Sequence, residues 1–349
     1  MGNPAHKTQL RFLVIGCGSI GKRHIKNLRA LGVSDILAFD LRADRRGDVT
    51  STLGICAVEN LDAAWERRPH VVIVAAPTSL HVPLALKSAS RQCHLFVEKP
   101  LSHDWEGVQR LLETVKQNRL VTLVGCNMRF HPGLTALNSL LADRTIGNVI
   151  AARVEVGHYL PDWHPWEDYR QSYSARRELG GGVILDAIHE IDYIRWLLGE
   201  VAGATCVAGK LSQLEIDTED VAAILLRFEN GVVGEIHLDY IQRAYRRTCQ
   251  IIGEDGTLHW DYTAGEVRWF SAQTKQWKVY SNPDGWHPNQ MYLDEMKHFL
   301  CCVAGEEEST LDVFDAAKVL RIALAAKEAA RQQRWIELRS QTWNTNPIL

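Results

Sequence analysis

The sequence predicts an α/β domain followed by an α+β domain, the second built on a mainly antiparallel open β-sheet. Three observations carry this. The chain has 349 residues, more than one core usually organises at about 150 residues per domain. Its first 126 residues alternate short β-branched runs with helix-length amphipathic segments, as in a parallel sheet with crossover helices. After Gly147 that pattern gives way to alternating runs separated by turn residues, the mark of antiparallel hairpins. The domains are therefore placed at 1–126 and 127–349, with the closing helices free to pack back on the first.

In the first domain the strands are expected at Leu10–Ile15, Ile36–Phe39, His70–Val74, His94–Val97 and Val121–Val124. The second opens with a strand at Val149–Gly157, a polar and aromatic loop, and one helix from about Val183 to Leu198. Strands then follow at Ala204–Lys210, Asp220–Phe228, Val232–Tyr240, Thr248–Ile252, Thr257–Tyr262, Val267–Phe270 and Trp277–Tyr280. Helices at about Gln290–Val303 and Val313–Arg331 close the chain.

Composition narrows the function classes. A formal charge of −3, with both signs dispersed, offers no basic field for a phosphate backbone, so nucleic acid is not an expected partner. No run approaches the ~18 apolar residues of a membrane span. The eight cysteines are scattered, several inside apolar runs and none in a C-x-x-C pair, which suits free thiols in a reducing cytoplasm. Tryptophan is in surplus, at 11 residues against 9 Tyr and 8 Phe. Only Trp65 and Trp105 fall in the first 126 residues. The surplus thus belongs mainly to the half that must recognise a substrate or another subunit.

The strongest local motif is Gly16-Cys17-Gly18-Ser19-Ile20-Gly21, set between a strand and a helix. In that setting the first glycine permits a tight turn, the second lets backbone approach a pyrophosphate, and the third lets helix pack on strand. The phosphates meet the helix N-terminus and its N–H groups. This is the fingerprint of a Rossmann dinucleotide-binding domain, with Ser19 and Ile20 opening the helix. Asp40, at the end of the next strand, is placed to accept ribose hydroxyls and would repel a 2′-phosphate, which favours NAD. Arg42, Arg45 and Arg46 just beyond it leave NADP open.

Further strand ends supply Ala76-Pro77-Thr78 with His81, then Glu98-Lys99-Pro100, then Gly125-Cys126-Asn127-Met128-Arg129-Phe130. With the glycine motif, and with Gly180-Gly181-Gly182 leading to His189, this series resembles the glucose-fructose oxidoreductase, inositol dehydrogenase and rhizopine catabolism (Gfo/Idh/MocA) family over essentially the whole chain. The resemblance implies that Lys99 lies beside the nicotinamide and the reacting carbinol. Chemistry agrees: hydride transfer from a carbinol needs a group to take the hydroxyl proton, and a lysine beside a positive nicotinamide has its pKa lowered. It also implies cofactor contacts from Ala76, Pro77, Thr78, His81, Glu98 and Asn127.

In Asp186-Ala187-Ile188-His189-Glu190-Ile191-Asp192 the acids at 186 and 192 and the histidine between them fall on one face of a continuous helix. Many members of the family hold Asp and His four apart here, whereas Asp186 and His189 are three apart, so either Asp186 or Asp192 is the family aspartate. His189 is expected as acid/base or as a hydrogen-bonding group on the substrate hydroxyl. No metal is expected: Glu190 points to a different face from His189, and no second histidine stands at helical spacing.

The loop from Gly157 to Arg170 is rich in groups that bind polyols. Tyr159, Trp163, His164 and Arg170 are its candidate substrate contacts, with Trp163 and Trp166 either stacking on a sugar or packing a subunit interface, and Arg129 is a candidate for an anionic substituent. The expected activity is NAD(P)-dependent oxidation of a carbinol in a sugar, sugar acid, nucleotide sugar or cyclitol. Two alternatives stand beside it: a glycosidase or lyase reaction using tightly held NAD with no net redox change, and a cofactor-binding sensor. The open sheet face predicts a homodimer or homotetramer.

Overall fold

A computed structural model describes residues 10–163 and 165–338. They form two compact units: the first comprises residues up to Leu101, Glu106–Gly125 and Tyr292–Phe314, and the second Ser102–Trp105, Cys126–Met291 and Asp315 onward. Where the sequence suggested one cut after residue 126, the chain crosses between units several times, and Trp105 belongs to the second.

The first unit is a six-stranded parallel sheet of β1 (Phe12–Ile15), β2 (Ile36–Phe39), β3 (Cys56–Ala57), β4 (Val71–Val74), β5 (His94–Val97) and β6 (Thr122–Val124), in the order β3-β2-β1-β4-β5-β6. All but β3 are almost wholly buried, and apart from His94 and Thr122 their residues are apolar, as a sheet covered on both faces requires. Its helices are α1 (Ser19–Ala30), α2 (Ala43–Leu53), α3 (Leu61–Glu66), α4 (His81–Ala89) and α5 (Val108–Asn118). The short edge strand β6 does not stand bare. Val124 donates its N–H to the Leu311 carbonyl at 2.8 Å and Thr122 Oγ1 accepts from the Val313 N–H, while Phe299 meets Phe96 edge-on. That segment, far along the sequence, shields the edge.

The second unit holds α6 (Pro132–Ala142), α7 (Val183–Asp186), α8 (Ile188–Leu198) and a nine-stranded sheet. Its strands are β7 (Val149–Gly157), β8 (Val201–Gly209), β9 (Val221–Phe228), β10 (Val233–Asp239), β11 (Arg246–Gly253), β12 (Gly256–Asp261), β13 (Glu266–Ser271), β14 (Trp277–Ser281) and β15 (Ile336–Glu337). The order is β14-β13-β12-β11-β7-β10-β9-β8-β15, antiparallel throughout except that β10 runs parallel to β7. In β9 and β10 alternate residues are buried and exposed: Ile224, Leu226 and Ile236 face the core, while Leu225, Val233 and Glu235 face solvent. The division between units falls within the last two helices, α9 (Asn289–Val303) and α10 (Val313–Gln332).

One element departs from expectation. The helix predicted through Val183–Leu198 is broken at Ala187, whose φ of −89° and ψ of 33° are not helical. Asp186 ends α7 and His189 is the second residue of α8, so their spacing no longer sets a common face, and the sequence argument that aligned 186, 189 and 192 fails there.

Candidate active site

In the first unit the glycine turn, Asp40, the Ala75–Thr78 loop and the Glu98-Lys99-Pro100 segment all follow the carboxyl ends of strands β1, β2, β4 and β5. The strand order reverses direction between β1 and β4, which is where open parallel sheets bind ligands. Gly16 has φ +102°, and a Cβ on it would overlap the Ala75 carbonyl, so the turn after β1 packs directly on the end of β4. A Cβ on Gly18, by contrast, would meet nothing nearer than the Arg45 guanidinium at 3.6 Å. The N-terminus of α1 carries no side-chain cap. Its N–H groups and the open space at Gly18 suit a pyrophosphate.

Asp40 is buried and its carboxylate is oriented by two backbone donors, Cys17 N–H at 2.7 Å and Arg42 N–H at 2.8 Å. Each oxygen keeps a second lone pair for a ribose hydroxyl. Arg45 stands 3.7 Å from the same carboxylate, and Arg42 is paired with Asp44, whose carboxyl its hydrogen bond holds down at about 2. These residues fit a dinucleotide with a free 2′-hydroxyl.

His81 ties two of the loops together: Nδ1 lies 2.7 Å from the Pro100 carbonyl and Nε2 2.9 Å from the Ala76 carbonyl. Burial pushes its pKa down against the pull of both carbonyls, so the neutral ring donates to one of them at a time. Thr78, predicted as a cofactor contact, is buried, and Pro77 caps the short turn it opens. Glu98 is buried beside His24, Oε1 to Nε2 at 2.6 Å, and its Oε2 accepts the Lys99 N–H at 3.2 Å. Burial favours the neutral acid, but the His24 hydrogen bond and charge, with the Lys99 charge, outweigh it and hold Glu98 below the usual carboxylate range. Lys99 is half-buried, and the Lys99–Pro100 peptide is cis.

In the second unit the predicted residues take more varied places. Asp186 is buried and accepts from Tyr173 OH at 2.6 Å, Ser174 Oγ at 2.6 Å and Tyr240 OH at 3.1 Å. Trp163 meets Tyr240 edge-on and stacks on His158, while its Nε1 donates to the His158 carbonyl. Tyr240 therefore joins the predicted loop to the predicted acid. The wall continues from His158 to Tyr245 and Tyr262 through ring contacts. His189, half-buried, stands at the start of α8 next to Glu190, which is wholly buried and paired with Arg247 at 2.8 Å. That pair fixes α8 to β11, and the nearby carboxylate pushes the guanidinium pKa up despite burial.

Arg129 and Arg170, expected to contact substrate, and Asp192 are all paired within the protein. Arg129 and Asp192 are both buried and paired at 2.5 Å, and Arg129 also binds Asp315 at 2.7 Å, so the anion that this guanidinium meets is the protein's own. Arg170 is exposed but paired with Asp168 and Glu215. Trp166 is 75% exposed, Asn127 is buried at the start of a short 3-10 turn, and His164 lies outside the described residues. Tyr173, Tyr240 and Arg247 were not foreseen. Tyr240 had a signal: strand alternation sets it with Ile236 and Leu238 on the core face, where a phenol needs an acceptor. Among the described residues no three His, Cys, Asp or Glu side chains form a metal-binding group, and no helix is long and apolar enough to cross a membrane.

Comparison with known proteins now decides the lineage. Residues 10–126 match the oxidoreductase family profile with an NAD-binding Rossmann fold, and residues 134–259 match the GFO/IDH/MocA C-terminal domain. The chain belongs to the Gfo/Idh/MocA oxidoreductase family. It is an oxidoreductase of that family with an NAD-binding Rossmann domain. Among members, it is similar to the myo-inositol 2-dehydrogenase of Thermotoga maritima, 27% identical over 94% of this chain and 98% of that protein. It also resembles the 2,7-anhydro-N-acetylneuraminate hydratase of Escherichia coli, 25% identical over 61% of this chain and 57% of that one. In fold it is close to a levoglucosan dehydrogenase solved with NADH and levoglucosan, with a TM-score of 0.85 at 21% identity, covering 95% of this chain and 100% of that one.

Proposed function

We propose that this Gfo/Idh/MocA protein oxidises a carbinol of a sugar, sugar acid, nucleotide sugar or cyclitol, with Lys99 taking the hydroxyl proton and His189 hydrogen-bonding the substrate hydroxyl. The observation that carries the reading is the setting of Lys99. It is half-buried directly after β5, between an oriented carboxylate, Glu98, and Pro100, whose carbonyl lies against His81. When bound, NAD supplies the hydride acceptor. The protein's part is then to orient the carbinol and remove its proton, a contribution of about 10²–10⁴-fold in rate. Asp186 acts as a positioning group, since its oxygens already hold three hydroxyls. Trp163 offers a ring face beside them for the C–H surface of a sugar.

Lys99→Met is expected to lower kcat by at least a hundredfold with little change in NAD affinity measured by fluorescence titration. A variant turning over at near wild-type rate removes Lys99 from the chemistry. The lyase or hydratase reading differs in one observable: substrate is consumed while no NADH accumulates. We also propose that the protein is cytoplasmic, which its free cysteines suit, and that it self-associates through the solvent-exposed face of the second sheet, where Val207, Leu225, Val233 and Ile252 are exposed.

A further inference from the structure

We propose that Arg243 binds an anionic substituent of the substrate, which assigns this enzyme to acidic sugars, carrying a carboxylate or a phosphate, rather than to neutral polyols. The inference rests on the carbinol-oxidation reading above and narrows its substrate class. It starts from a subtraction. Arg129 and Arg170, the arginines that the sequence offered for this task, are matched by Asp192 with Asp315 and by Asp168 with Glu215. Arg247 and Arg195, the other arginines near α8, are matched by Glu190 and by Asp315 with Glu200.

Arg243 differs from all of these. Its guanidinium carbon lies 3.6 Å from the centre of the Tyr159 ring, and among the described residues it makes no ion pair. Asp162, the acid of the same loop, is not paired with it either. A guanidinium held over a ring in this way keeps a planar fork of N–H donors with which it can receive a carboxylate or phosphate bidentately. The neighbourhood is built rather than incidental. Tyr159 lies between His158 and Trp163 in the substrate loop, and Tyr245, just beyond Arg243, meets His158 edge-on at 5.1 Å. Gln242, the preceding residue, is pinned by Asp239, which accepts its N–H at 2.7 Å, and by Glu155, which accepts from Nε2 at 3.0 Å. Arg243 is exposed and therefore rises from an anchored backbone to lie over Tyr159 of the substrate loop.

The test compares the NAD-loaded wild type with Arg243→Gln, Arg243→Lys and, as a control on an exposed helix, Arg110→Gln. Each is titrated calorimetrically with D-glucuronate, D-glucose 6-phosphate and myo-inositol, and assayed for NADH formation with the same compounds. The expected wild type binds at least one of the two anions more tightly than myo-inositol. R243Q weakens that binding tenfold or more and lowers the anion-to-neutral ratio of kcat/KM by the same factor. R243K recovers part of the loss, and R110Q behaves as wild type. The carboxylate and phosphate arms separate the two sources of charge. Anion binding unchanged in R243Q, or no anion binding at all, overturns the assignment even if myo-inositol is oxidised, which leaves the dehydrogenase reading intact. Anion binding lost in R243Q while the wild type consumes that anion without forming NADH upholds Arg243 and overturns the dehydrogenase reading instead.

Discussion

Gly21 has no room for a side chain, because a Cβ there would overlap the Gly16 carbonyl oxygen where α1 packs on β1. Gly21→Ala must shift helix from strand. The expected cost is about 1–3 kcal/mol of stability, with loss of NAD binding by titration. His131 shows a different constraint. It is buried among Trp260, Tyr262 and Trp286, its Nδ1 accepts the Gly133 N–H at the start of α6, and burial holds its pKa down at about 3. The unfolded chain takes up a proton near 6.5 that the folded one refuses, so this group lowers stability progressively as pH falls from 6.5 toward 3. Unfolding free energies from urea melts of wild type and His131→Asn between pH 4 and 7 should diverge by up to about 1.4 kcal/mol per pH unit, the wild type losing more. Asparagine keeps a capping oxygen. Parallel curves would remove His131 from the acid response. At this scale the glycine motif and Asp40 were legible because each answers one backbone requirement. The partners of Asp186 were not legible, because no local pattern reveals that Tyr173 and Ser174 reach it from a loop of short 3-10 turns.

Between α8 and α10 the charges form a chain: Asp192 with Arg129, Arg129 with Asp315, Asp315 with Arg195, and Arg195 with Glu200, which Lys318 also binds. Single exposed pairs contribute little, but Arg129 and Asp192 are out of water and mutually dependent. Arg129→Met should destabilise by about 3–5 kcal/mol in urea melts, because it strands a buried carboxylate, and adding Asp192→Asn should recover most of that loss. Equal stability of the single and double variants would show that the pair is not coupled. Glu200, at the wet end, is held down at about 2: burial opposes this, and the Arg195 and Lys318 hydrogen bonds outweigh it. Its contribution is present above the ordinary glutamate range and is lost as pH falls toward 2. The ends of α9 and α10 were readable from periodicity. The break at Ala187 was not, since nothing in Ile184-Leu185-Asp186-Ala187-Ile188 opposes a helix locally, and tertiary contacts to Asp186 prevail over propensity.

At the scale of the whole molecule, the alternation of strand and helix exposed the first unit because each crossover leaves a periodic trace. The return of Tyr292–Phe314 to that unit left none: Leu311 and Val313 bind β6 through backbone groups that any sequence carries. The solvent-exposed face of the second sheet supplies the prediction that belongs here. Leu225→Arg with Val233→Glu places charges among its exposed apolar side chains and should reduce the mass seen by light scattering at micromolar concentration, without lowering the urea midpoint. A wild type already monomeric would refute self-association through this face.

The pairing of β7 has a kinetic consequence. Its neighbours are β10, which begins at Val233, and β11, which ends at Gly253, so the middle of the nine-stranded sheet cannot close until a long stretch of chain has been synthesised. The β8–β9–β10 meander is local and can form early, whereas β7 must wait with both edges unsatisfied. Such loop closure slows folding and prolongs exposure of a sticky strand. A nascent chain stalled before Arg247 would hold Val154 and Val156 without their β11 partners, Cys249 and Arg247, which makes β7 the segment of this enzyme on which a chaperone has the longest opportunity to act.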